Sequence, residues 1–236
     1  MKRFCAGLAV LGTLVAPVSA ADLLFNDLGE TIVSMDRSEL PNAGFDWTGF
    51  YAGLNAGYLT GDVDSTSVTS GVTTEVPLDG AMLGVTLGGN AQFGMFVLGA
   101  EGDIAWSGAE GSTACVLLAA SDCNAEIDWL GTLTARGGVA FDNILVFAKG
   151  GLAVASGRGT VTPAFAGITN EFEDTFVGWT AGAGVEVAVT DAISVKAEYN
   201  YIDLGTQDAP AGTIGTGVQA VSPVVHAVKL GFNYHF

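Results

Sequence analysis

The stretch 224-VVHAVKLGFNYHF-236 closes the sequence and alternates with a period of two. Val224, His226, Val228, Leu230, Phe232, Tyr234 and Phe236 fall on one face, with Lys229, Asn233 and His235 on the other. Successive side chains of a strand point to opposite faces, so the stretch reads as a β-strand. Strands in soluble sheets average roughly five to six residues, and a run this long with three aromatics on one face and a lysine on the other is unusual for them. A transmembrane β-barrel uses strands of about 9 to 11 residues that alternate between lipid and lumen. The stretch fits that geometry.

Working outward, comparable segments occur at approximately 47–59, 78–89, 94–106, 126–140, 143–155, 175–189 and 192–204, with the final one at 223–236. The gaps alternate in length: 60–77, 107–125, 156–174 and 205–222 are long, whereas 90–93, 141–142 and 190–191 are short. Pro41, Pro77, Pro163, Pro210 and Pro223 avoid the segment interiors, where proline would remove a ladder donor. The expected fold is all-β, an eight-stranded antiparallel up-and-down transmembrane β-barrel. Residues 80–100 carry no charge and invite a helical reading, but six glycines stand among them. Each costs roughly 1 kcal/mol inside a helix, so two strands and a turn fit better.

Threaded up and down, the large outward aromatics separate into two bands. Phe50, Phe96, Phe141, Phe232, Tyr234 and Phe236 fall at the short-turn end, and Tyr58, Trp106, Trp129, Trp179, Tyr199 and Tyr201 at the long-loop end. Such girdles mark the two interfaces of a membrane. A secreted lipocalin-like barrel points its apolar side inward and has no need of them.

The run FDWTGFYAGLNAGY at 45–58, the later runs DWLGTL, AKGGLAV, GWTAGAGVEVAVTD and SVKAEYNYIDLG, and the final strand resemble the small outer-membrane β-barrel family of Gram-negative bacteria. This family comprises OmpA-like transmembrane domains and opacity-type, porin-family surface antigens. The resemblance implies short periplasmic turns and long extracellular loops, surrounding outer-membrane lipid and lipopolysaccharide, and presentation of Phe236 to the barrel-assembly machinery. Related antigens include haem-binding and host-contacting members, but the loops of this chain match nothing, so no partner is inherited.

Lys2 and Arg3, an apolar run from Phe4 to Val15, and Val18-Ser19-Ala20 form a signal-peptide pattern with cleavage after Ala20. The expected division is 1–20 signal peptide, 21–46 periplasmic N-terminal tether and 47–236 barrel. Six basic residues then face 25 acidic ones, and 6 minus 25 leaves a net charge of −19, which disfavours nucleic acid. Extended at about 3.3 Å per residue, the tether reaches roughly 80 Å. Some similar barrels are joined to the cell wall through an Ala-Asp start, so the resemblance implies a peptidoglycan link at Ala21; the alternative is an idle linker.

Cys115 and Cys123 read as one disulfide within a loop. Metal ligation is the alternative, without a histidine nearby. On the face opposite the aromatics stand Glu101, Asp103, Glu186 and Glu198 with Arg136, Lys149, Lys196 and Lys229. Four acids and four bases make either an ion-pair network filling the core or a conduction path. His226 and His235 lie about a strand length apart, and no external site places a histidine beside a serine or aspartate. Glu171 and Glu173 read as solvated loop carboxylates. No metal-ligand spacing, phosphate loop or nucleotide fingerprint occurs, so no cofactor and no catalysis are expected. The expected role is a structural surface antigen supporting envelope integrity; the rivals are a narrow porin and a ligand-binding receptor or adhesin.

Overall fold

The computed structural model describes residues 44–116, 121–162, 171–211 and 217–236. The expected signal peptide and almost all of the expected tether lie outside these residues, as do parts of three of the expected long loops. The strands are β1 (Gly49–Ser67), β2 (Thr73–Phe93), β3 (Phe96–Ala114), β4 (Asp122–Phe141), β5 (Ile144–Thr162), β6 (Glu171–Thr190), β7 (Ile193–Asp203), β8 (Gln207–Ala209) and β9 (Gln219–His235). Strands β1 to β7 and β9 pair antiparallel in chain order, and β9 pairs back onto β1 from Tyr51↔His235 to Ser67↔Gln219. The sheet is thereby a closed ring of eight strands, which removes its free edges. The three-residue β8 was not expected from sequence; it continues along β9 beyond the end of β7, after Gly205 takes a φ of 68°.

Most strands outrun the expected boundaries at the loop end. Residues 60–67, 73–77, 107–114, 122–125, 156–162, 171–174 and 219–222 look like loop by their Ser, Thr, Gly and acidic content, yet they carry the ladders onward. With 17 to 21 residues in most strands, the ring is roughly twice the length that a bilayer crossing needs. Arg158, Glu171 and Glu173 consequently stand on β5 and β6 rather than in a loop. Pro77 and Pro223 also lie inside strands, each where one flanking ladder is missing: β2–β3 pairing starts at Asp79, and β7–β9 pairing stops at Val224.

The tight turns shift as well. They are Gly94-Met95, Asp142-Asn143 and Asp191-Ala192, each later than expected. Gly94 and Asp142 take φ values of 63° and 56°, a left-handed conformation that glycine adopts freely and aspartate tolerates.

Outward positions carry the apolar belt, with Leu54, Leu83, Leu133, Leu152 and Leu230 all exposed. The interior is layered, not charged throughout. At the turn end Trp47 is wholly buried with Val97, Ala140, Leu145, Phe147 and Ala188. Phe45 packs edge-on against Trp47 with ring centroids 4.7 Å apart, and Trp47 N–H donates to Gln92 Oε1 at 2.9 Å. The residues just before β1 therefore cap the lumen. The charged layer follows, and beyond it an apolar layer including Leu59, Leu78, Met82, Leu130, Ile202 and Val225.

Candidate functional site in the lumen

Period-two alternation on different strands brings all eight charged residues to one level of the interior, where none is more than 8% exposed. Register places Arg136 opposite Lys149 on β4 and β5, Glu186 opposite Lys196 on β6 and β7, and Glu198 opposite Lys229 on β7 and β9. The two like charges on β4 and β5 are kept favourable by reaching across the ring to carboxylates on other strands.

Glu101 is the hub. Its carboxylate accepts from Lys149 Nζ and Lys196 Nζ at 2.8 Å each, from Arg136 Nη1 at 3.2 Å and from the Tyr51 hydroxyl at 2.8 Å. Arg136 Nη2 donates to Glu186 at 2.8 Å, and its guanidinium lies 4.1 Å from the centre of the Phe147 ring. Glu198 is held by Lys229 at 2.7 Å, Lys149 at 2.9 Å and Lys196 at 3.2 Å. Asp103 sits near Lys229 at 3.4 Å and Lys149 at 3.5 Å, and accepts from Thr86 and Asn55. Taking ions out of water costs several kcal/mol each, and only partners with satisfied hydrogen bonds offset it. Here every buried carboxylate has a cation and a neutral donor.

Carboxylate oxygens of Glu101, Asp103 and Glu198 lie within 4.8 Å of one another, a spacing that could hold a cation. Lys149 Nζ already occupies that place, facing all three. The arrangement supplies its own counter-ion.

Sequence reasoning missed several neutral members. Tyr51 crosses the lumen because its register partner is Gly88, where a Cβ would fall 2.3 Å from the tyrosine ring. Ser194 donates to Glu186 at 2.6 Å and lies 2.9 Å from His235 Nε2, while Asn233 donates to Glu186 at 2.7 Å. His235 points inward and is surrounded by Phe45, Trp47 and Tyr51, so a histidine does stand beside a serine, though not at an external surface. The serine proton is committed to a buried carboxylate, an arrangement that holds Glu186 in place. The signal was present, since Tyr51, Asn233 and His235 share the inward parity of their strands.

At the turn-end rim Phe50, Phe96, Phe141, Phe232, Tyr234 and Phe236 are exposed outward. At the other end Tyr58, Trp106, Trp179 and Tyr199 are exposed, whereas Trp129 and Tyr201 are half-buried. Tyr201 is covered by Trp179 and His226, with ring centroids 5.3 and 5.4 Å away, and Trp129 is the register partner of Trp106 beside a bulge. Tyr58 hydroxyl donates to Asp79. Cys115 and Cys123 form a disulfide with Cα atoms 5.2 Å apart. Arg158, partly exposed, faces Glu126, Glu171, Asp128 and Glu173 at 3.4 to 4.0 Å.

Residues 7–236 match the family model described as outer membrane protein beta-barrel domain. The chain is 34% identical over 210 residues to the 31 kDa outer-membrane immunogenic protein of Brucella melitensis biotype 1, covering 81% of this chain and 85% of that protein. It is 29% identical to the 22 kDa outer membrane protein of Rhizobium leguminosarum bv. viciae, over the whole of both chains. Among solved structures, Ail, the attachment invasion locus protein of Yersinia pestis, aligns with a TM-score of 0.42 at 12% identity, covering 80% of this chain and 99% of that one. The chain belongs to the outer membrane protein beta-barrel domain family and is an integral protein of the outer membrane.

Proposed function

We propose that this barrel is a non-catalytic structural element of the envelope that carries its long outer strand ends and loops as a surface antigen, with a lumen closed to diffusion. The observation that carries this reading is the buried network of four carboxylates against four cations, capped by Trp47 on one side and an apolar layer on the other. Eight strands enclose side chains and at most one small ligand, not a continuous channel, and opening a path through the charged layer would break several buried ion pairs together. The proposed partners are membrane lipid and lipopolysaccharide at the aromatic bands, the assembly machinery at Phe236, and peptidoglycan through Ala21. Planar-bilayer recording of purified protein tests the closed lumen. No steps above the bare bilayer are expected; reproducible nanosiemens-scale steps would instead favour the narrow porin.

A further inference from the structure

We propose that the outer mouth of the barrel is a binding site for a small neutral amphiphile, an aliphatic chain or ring system ending in one hydroxyl, amide or ester. Above the apolar layer the ring encloses a cavity of about 430 Å³, within the range of about 300 to 1,000 Å³ usual for small-ligand sites. Its walls are inward and buried: Val63, Val76, Ile127, Phe172, Phe176 and Val221. Its floor continues into packed apolar side chains, which separate it from the lumen charges.

Ala125, Ala155 and Gly157 border it at the level of Phe172 and Phe176. Phe176 lies against Gly157, where a Cβ would fall 3.2 Å from its ring, and the hollow opens between these packed walls and Val63, Val76 and Val221. Apolar walls that face a hollow lose dispersion contacts there, and water gains little from apolar surfaces, so an apolar occupant restores those contacts. The Cys115–Cys123 disulfide lies in the wall and ties the β3–β4 hairpin together. That covalent tie reduces the ordering a ligand must impose.

Polar groups at the cavity are mostly neutral. Ser67, Thr74 and Gln219 border it and are each more than nine-tenths buried. Glu126 and Arg158 also border it, but they pair with each other at 3.5 Å and have the opposite parity to Ile127 and Gly157. Hydroxyl and amide groups match a neutral polar end, and the chain's net charge of −17 opposes an anionic one. The site does not depend on whether the lumen conducts.

The test is photolabelling of the full-length barrel in lipid nanodiscs with a diazirine-bearing decanol, labelled residues being mapped by mass spectrometry. Labels are expected on inward Ile127, Phe172 and Phe176, and excess unlabelled decanol should suppress them several-fold more than labels on lipid-facing Leu133 and Leu152. Val63→Phe should abolish the inward labels and spare the outward ones. Ala125→Leu, on a different strand, does the same work should the first variant fail to show heat-modifiable migration. A diazirine-bearing decanoate should label the inward residues several-fold less than the alcohol. Labels confined to lipid-facing residues, inward labels that survive in the filled variants, or equal labelling by decanoate would each overturn the proposal.

Discussion

Arg136→Ala isolates the energetics of the lumen. The guanidinium joins Glu186 at 2.8 Å, Glu101 at 3.2 Å and the Tyr51 hydroxyl at 2.8 Å. After truncation Glu101 keeps Lys149 and Lys196, each at 2.8 Å. Glu186 keeps neutral donors from Ser194 and Asn233, with His235 3.6 Å away, and loses its only Lys or Arg partner among the described residues. The variant therefore leaves one buried carboxylate largely uncompensated, an error that costs about 3 to 5 kcal/mol. Arg158→Ala removes a cation whose side chain is 35% exposed and whose contacts are 3.4 to 4.0 Å long, so its cost is about 0 to 1 kcal/mol. Heat-modifiable migration and urea unfolding of protein folded into lipid vesicles measure both. The double variant Arg136→Met with Glu186→Gln should regain most of the single variant's loss, because no unpaired charge remains. Equal losses from the two arginine variants, or no recovery in the double variant, would refute the reasoning.

Phe236→Asp should reduce the membrane-assembled fraction and leave unfolded protein in the periplasm, since Phe236 is outward and its N–H donates to Phe50 O at 3.0 Å where β9 closes onto β1; normal outer-membrane levels on fractionation would contradict this. Trp47→Ala should destabilise the folded barrel by about 3 to 5 kcal/mol, the usual cost of removing a fully buried tryptophan, with unfolding in urea as the readout. Muramidase-released protein should yield an N-terminal peptide beginning at Ala21 with an added muropeptide mass; the free peptide alone would reject wall attachment.

Period-two alternation was enough, without coordinates, to read the strands and to assign the eight charged residues to one face and the aromatics to the other. It works because side-chain direction along a strand is a local property. Pairing is not local. Glu101 and Lys196 are separated by 95 residues, and only the closed ring, with β9 on β1, decides that they meet and that Tyr51 reaches both Glu101 and Arg136. Strand ends were misjudged for the same reason: residues such as 60–67 have the composition of loops because water bathes their outer face, while the hydrogen bonds that make them strands come from neighbouring segments. The cap formed by Phe45 and Trp47, and the cavity beside Ala125, Ala155 and Gly157, also belong to the tertiary structure alone, because filled and empty space are sums over side chains from many strands.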